Sequence, residues 1–189
     1  MTNKESVTIY LIRHGEAKAA WDEDPNPGLS KKGKQQSKCL INEISSELPS
    51  GFEVISSPLM RAQETALPLK KELGFKLGIN NTFAEIPSPG ISLSERRDWL
   101  RGVFNKDVKE LEEPQLKWRN SIIQSIKLIQ NDTIIFTHFM VINCVVGWIS
   151  NSRKFVSFHP DNCSITKIKR INGNFEILNL GKNIPTTVQ

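Results

Sequence analysis

Long apolar runs are missing from this sequence. The longest, Phe139 to Ile149, has eleven residues and is interrupted by Asn143, whereas a helix needs about 20 to span a bilayer. It reads as a buried helix, and no membrane partner is expected. Cysteine is scarce: Cys39, Cys144 and Cys163 stand apart with no CxxC pair. An odd, dispersed set builds neither a disulfide framework nor a thiolate zinc site. The opening stretch MTNKESVTIYLIRHGEA leads into a charged loop without an apolar segment followed by a small-residue cleavage site, so a cytoplasmic protein is expected. Gly-rich repeats, Gln/Asn tracts and internal periods are absent, which excludes collagen-like, low-complexity and solenoid architectures. There is also no P-loop and no carboxylate cluster spaced for Mg²⁺.

What is present fits a packed domain. The 189 residues are 38% hydrophobic and 24% charged, within the range of ordinary globular chains. A single domain over 1–189 is expected, with 85–114 forming a small cap over the site. Lys and Arg number 25 against 20 Asp and Glu, a net charge of +5. The excess lies after residue 150, mostly in Lys167, Lys169 and Arg170. Their alternation with Ile165, Ile168 and Ile171 marks a strand near a sheet edge, where lysines discourage unwanted pairing. Without aromatic interleaving, nucleic acid is not an expected partner. Nothing in the pattern specifies an oligomeric state.

Strands and helices alternate. Val7–Ile12 is a β-branched, apolar run, read as a buried strand. Ser30 caps a helix to about Leu48, with Leu40, Ile41 and Ile44 inward. Phe52–Ile55 is a second strand, and Ser57-Pro58 reads as an N-cap with proline at the first helical position of a helix ending near Gly74. Phe75–Phe83 is expected to be extended and Glu85–Ser92 a loop, with helices over Leu93–Val103 and Pro114–Gln130. Thr133–Thr137 is a third strand, and Ile165–Ile171 pairs with Phe175–Leu180 across Asn172-Gly173. The predicted fold is α/β: a three-layer sandwich with a largely parallel central sheet and an antiparallel C-terminal hairpin.

In such sheets the ligand crevice lies beyond the carboxyl ends of the strands. Arg13-His14-Gly15-Glu16 follows the first strand, Ser56-Ser57-Pro58 with Arg61 follows the second, and Thr137-His138 ends the third. Two of three histidines and two arginines are thereby predicted at one sheet edge. Imidazole offers a neutral nucleophilic nitrogen near pH 7. Guanidinium forks match phosphate oxygens, a helix beginning at Pro58 would add free N–H groups, and Gly15 would let backbone approach a ligand. The set suits phosphoryl transfer through a phosphohistidine. The arginines and His138 would supply the charge stabilisation that metals supply elsewhere.

The motif Leu11-Ile12-Arg13-His14-Gly15-Glu16-Ala17 resembles the signature of the histidine phosphatase superfamily, also called phosphoglycerate mutase-like. Gly28-Leu29-Ser30 with Gly33 and Gln36 is similar to its loop-to-helix segment, and Ser56-Ser57-Pro58-Leu59-Met60-Arg61-Ala62-Gln63-Glu64-Thr65-Ala66 resembles its second signature. Phe136-Thr137-His138 and Asn162-Cys163-Ser164-Ile165 are similar to two later strands. The resemblance implies His14 as the nucleophile, with Arg13, Arg61 and His138 binding the phosphoryl oxygens. Glu85 stands where many members place the acid that protonates the leaving group. Gly28, Leu29 and Phe139 would contact substrate. No cofactor and no metal is implied. The activity implied is that of a histidine acid phosphatase-type phosphoric monoester hydrolase, its partner a small phosphorylated substrate or a phosphoprotein. A SixA-like phosphohistidine protein phosphatase, a phosphoglycerate mutase and a non-catalytic phosphate-binding module are the alternatives.

Two departures from the family pattern stand out. Phe139 replaces the usual glycine after the second histidine, so either its backbone is strained or its side chain walls the pocket. Ala17 to Ala20 lacks the polar phosphate contacts of mutases, which favours a phosphatase. Several other residues have plain structural readings: Glu16 braces the loop, His159 has no convergent partner, and Trp99 and Trp118 pack in the cap or core. Arg96, Arg97 and Arg101, following the Glu85 loop, read as a solvated helix face, with a grip on an acidic substrate as the alternative.

Overall fold

The computed structural model describes residues 6–20, 22–45 and 48–183. Six strands form one sheet: β1 (Ser6–Arg13), β2 (Glu53–Ser56), β3 (Leu77–Ile79), β4 (Thr133–Thr137), β5 (Ile165–Ile171) and β6 (Asn174–Asn179). Their order is β3-β2-β4-β1-β5-β6. The first four in that order run parallel, and β5 and β6 join antiparallel. Five helices flank the sheet: α1 (Lys31–Ile44), α2 (Met60–Leu73), α3 (Arg96–Asn105), α4 (Glu113–Leu128) and α5 (Phe139–Ile149).

Strand periodicity sorts β1 between two cores. Val7, Ile9 and Leu11 pack with α4 and α5 residues such as Ile122, Ile126, Val141 and Val145. Tyr10 and Ile12 pack on the other face with Leu40, Ile44, Ala62, Ala66 and Leu69 from α1 and α2. A strand covered on both faces must be apolar throughout, which is why β1 and β4 read as continuous runs. Trp99 packs against the α4–α5 core, and Trp118 donates its indole N–H to the Ala84 carbonyl at 3.0 Å.

Several boundaries differ from expectation. Ser30 caps α1 as predicted, accepting from the Gly33 N–H at 3.0 Å. The helix ends at Ile44 rather than near Leu48, where Ser45 turns its hydroxyl back onto the Ile41 carbonyl. α2 starts at Met60, two residues beyond Pro58, with Leu59 as its N-cap, and it ends at Gly74 in the left-handed conformation with φ 69°. The segment expected to be extended to Phe83 holds only a three-residue strand and then a 3₁₀ turn, Asn81–Phe83. Another 3₁₀ turn, Leu93–Glu95, precedes α3.

Register sets the site. β1 and β4 pair so that Arg13 faces Thr137, and the His14 N–H donates to the Thr137 carbonyl at 3.0 Å. β2 pairs with β4 on its other side, and the Ser57 N–H reaches the Phe136 carbonyl at 2.9 Å. Adjacent parallel strands thus deliver His14, His138 and Ser57 to one edge. Among the described residues, no helix is long and apolar enough to cross a membrane.

Candidate active site

His14 is 7% exposed at the floor of a cavity of about 410 Å³. Its Nδ1 lies 2.7 Å from the Gly15 carbonyl oxygen. Because a carbonyl only accepts, Nδ1 carries the proton and Nε2 keeps its lone pair. The Arg61 Nε–H meets that lone pair at 3.0 Å. Burial, then the charges of Arg61 and Arg13, hold the His14 pKa well below its ordinary 6.5, so the ring is neutral at physiological pH.

His138 is fully buried, with its ring centroid 5.2 Å from that of His14. Its Nε2 lies 2.6 Å from the Ser57 hydroxyl, which also accepts the Leu59 N–H at 3.2 Å. With Ser57 Oγ–H donating to Nε2, Nδ1–H becomes the remaining donor. Burial, followed by the positive charge of Arg61, the neighbouring His14 ring, which could not share a second charge, and Arg13, lowers the His138 pKa well below its ordinary value and keeps this imidazole neutral as well. Three buried donor atoms here have no hydrogen-bond partner among the described residues: His138 Nδ1, Arg61 Nη1 and Arg13 Nε. Buried donors are seldom left unmade, and these three are chemically suited to oxyanion oxygens. Arg13 is anchored by its Nη1 bond to the Pro160 carbonyl at 2.7 Å. Burial lowers both guanidinium pKa values, opposed by Glu85, and both groups stay charged.

Glu85 completes the ring of groups. The 3₁₀ turn before it is tied to β4 by the Thr137 hydroxyl, which donates to the Phe83 carbonyl at 2.9 Å. Burial pushes the Glu85 pKa up to about 7, opposed by the Ile86 N–H, Arg61, Arg13 and the Met140 N–H. The carboxyl is poised to exchange a proton near neutral pH. The Met140 N–H belongs to the first turn of α5, whose N-cap is His138.

The structure therefore brings Arg13, His14, Arg61, Glu85 and His138 together. Phe139 also lines the cavity. Its φ is not positive, and it opens α5 as an apolar wall, stacked on Phe104 with centroids 5.1 Å apart and a 12° interplanar angle. The Arg13 guanidinium lies 5.4 Å from the Phe139 ring centre.

Gly28 and Leu29 are a correction: they do not line the cavity. Both are buried against α2, where Glu64 Oε2 accepts the Leu29 N–H at 2.6 Å and a Cβ on Gly28 would meet Glu64 Oε1 at 2.8 Å. Gly15 serves backbone packing rather than ligand approach, since a Cβ there would lie 2.7 Å from the Gly33 carbonyl oxygen. At the start of α2 two N–H groups are already taken, that of Met60 by Asn26 Oδ1 at 2.8 Å and that of Leu59 by Ser57. Glu16 braces its loop as read, accepting from Ser30 at 2.8 Å and pairing with Lys32 at 3.0 Å, and it also lines the cavity. Arg97 pairs with Asp22 at 2.8 Å and Arg101 with Asp98 at 3.1 Å. Arg96 borders a smaller crevice shared with Arg61 and Glu85.

Two lining residues were missed. His159, read as structural, stands against Phe139 with centroids 5.5 Å apart. Asn162 lines the same cavity and donates to the His14 carbonyl at 2.9 Å. The motif Asn162-Cys163-Ser164 was the available signal. Cys163 takes a left-handed φ of 57°, and its N–H bonds the Arg13 carbonyl at 3.0 Å, so this loop clasps the end of β1 that carries His14.

The family model described as "Histidine phosphatase superfamily (branch 1)" matches residues 9–183. Among solved structures, a mycobacterial glucosyl-3-phosphoglycerate phosphatase, solved with VO3, is 14% identical over 94% of this chain and 100% of its own, with a TM-score of 0.72. A putative alpha-ribazole-5'-P phosphatase from Escherichia coli is 16% identical over 93% and 96%, with a TM-score of 0.74. A phosphoglycerate mutase from Bacillus anthracis is 18% identical over 96% and 94%, with a TM-score of 0.67. At these identities the likeness is one of fold. No curated protein matches the chain at a significant level.

Proposed function

The chain belongs to the histidine phosphatase superfamily, which supports a phosphatase- or mutase-type activity, and on that premise we propose a histidine acid phosphatase-type phosphoric monoester hydrolase working through phosphohistidine 14. The observation that carries the reading is the neutral His14 Nε2, fixed by its Nδ1 bond to Gly15, within a set of buried donors lacking partners.

The Nε2 lone pair attacks phosphorus as the ester P–O bond breaks, and the departing oxygen takes the proton of Glu85. Arg61 moves its Nε–H from Nε2 to the phosphoryl oxygens, which Arg13 and His138 Nδ1–H also hold. Their grip tightens as charge spreads over those oxygens. Water then attacks the phosphorus and gives a proton to the Glu85 carboxylate. The N–P bond breaks with its electron pair returning to Nε2, and phosphate leaves.

Hydrolysis is favoured over a mutase reaction because Ala17, Ala19 and Ala20 line the cavity and offer no polar side chain to retain a second phosphate-bearing position. The burial of His14, in a cavity also lined by Leu100 and Phe104, suits a small ester better than a protein surface.

The test is phosphate release from an ester panel in the presence of EDTA. Wild type is expected to release phosphate and His14→Ala to release none; turnover by the variant would overturn the mechanism. Arg61→Ala is expected to lower kcat as well as raise KM, and an effect on KM alone would contradict its part in the transition state.

A further inference from the structure

Beyond the phosphoryl groups, the cavity divides unevenly by chemistry. Ala17, Ala19, Ala20, Leu100, Phe104 and Phe139 present apolar surface. The guanidinium groups lining it, Arg13 and Arg61, both belong to the phosphoryl end. Arg97 is occupied by Asp22. Glu16 adds negative charge to the wall, held ionised by Ser30 and Lys32. With Arg13 and Arg61 turned to the phosphoryl group, a carboxylate or second phosphate on the leaving group would meet apolar surface and this acid. No further guanidinium or ammonium is among the described residues lining this cavity, and Arg96 borders the separate, smaller crevice beside Glu85. Desolvating an unpaired anion there is costly.

The rings form a continuous face. Phe104 stacks on Phe139, and the edge of Phe139 meets His159 at a 53° tilt. Phe139 is 8% exposed and belongs to the core, whereas Phe104 is only partly buried and packs against it from α3. Phe104 thus lines the cavity while resting on the buried Phe139 ring. Stacked and edge-on aromatic contacts add to area burial.

Resting on the hydrolase reading above, we propose that the substrate is a phosphate monoester of an uncharged alcohol with a flat, largely apolar body, seated against the Phe104–Phe139 face, and that Phe104 sets this specificity.

The test measures kcat/KM for two matched pairs of esters. Phenyl and 2-naphthyl phosphates leave as phenols of similar acidity, so their ratio reads burial of the second ring. 2-Phenylethyl phosphate and 3-phosphoglycerate contrast an apolar with an acidic body. Wild type is expected to favour naphthyl over phenyl by about tenfold from the added apolar contact, and phenylethyl phosphate over 3-phosphoglycerate by at least as much. In Phe104→Ala the naphthyl preference should fall to about twofold or less, with Phe104→Leu intermediate. A preference for 3-phosphoglycerate would overturn the substrate class while leaving the phosphatase reading intact. An equal loss on both aryl esters in Phe104→Ala would overturn the role of Phe104. No release from any ester would overturn the hydrolase reading and this proposal with it.

Discussion

A carboxyl whose pKa sits near 7 can give a proton in one half-reaction and take one in the next, and Glu85 has that property because burial outweighs its four favourable contacts. Its loss is expected to depend on the leaving group. Glu85→Gln should lower kcat/KM, which reports the steps up to leaving-group departure, by about 10²- to 10⁴-fold for an alkyl phosphate and by much less for p-nitrophenyl phosphate, since nitrophenolate departs without a proton. In wild type the alkyl-ester rate should decline as pH rises through about 7, and the variant should lack that decline. Stopped-time phosphate assays across pH check both, and equal losses on the two esters would exclude Glu85 as the acid. At this scale the sequence was informative where a residue follows a strand: Arg13, His14 and His138 lie at ends that periodicity alone identifies. It was misleading at Pro58, since α2 begins only at Met60, and it gave no sign that the Ser57 hydroxyl, besides accepting the Leu59 N–H, bonds His138, 81 residues away. His159 escaped because its partner, Phe139, comes from a distant helix start.

Elements hold these residues through backbone-to-backbone approaches that need glycine. A Cβ on Gly33 would fall 2.1 Å from the Glu16 carbonyl oxygen, so the start of α1 cannot close on the His14 loop with a larger residue. Gly33→Ala should cost about 2 kcal/mol or more through forced backbone displacement and should lower activity as well. Gly102, exposed on α3 with open space around its Cβ position, makes the control: Gly102→Ala should stabilise by up to about 1 kcal/mol. Urea unfolding of both variants checks the pair, and equal stability changes would contradict the packing account. The helices themselves were legible from capping and periodicity. The close approach of Gly33 to Glu16 was not, because it joins the first turn of α1 to the loop after β1, whose relation depends on the tertiary fold.

For the whole molecule, the parallel sheet and its antiparallel end followed from alternating patterns, whereas the strand order did not. Placing β4 between β1 and β2 requires long-range pairing that no local pattern encodes, yet it alone puts His138 beside His14. The buried site also sets opposing slopes of stability with pH. Glu85 binds its proton more tightly folded than unfolded, so its contribution is present below about 4.5 and is lost as pH rises through about 7. His14 and His138 bind protons less tightly folded, so their contribution is present above 6.5 and is lost as pH falls. Glu85→Gln should therefore be more stable than wild type above pH 7, with the advantage shrinking toward pH 4.5, as chemical unfolding at several pH values would register. A constant difference would mean that Glu85 does not titrate in this range.

The central claim is a covalent phosphohistidine, and its most direct test is stereochemical. An ester made chiral at phosphorus with sulfur and an oxygen isotope, hydrolysed in water carrying a third isotope, reports the number of displacements at phosphorus. Attack by His14 followed by attack by water makes two inversions, so net retention of configuration is the predicted result. Net inversion would mean that water attacks the ester directly, and would contradict the role assigned to His14.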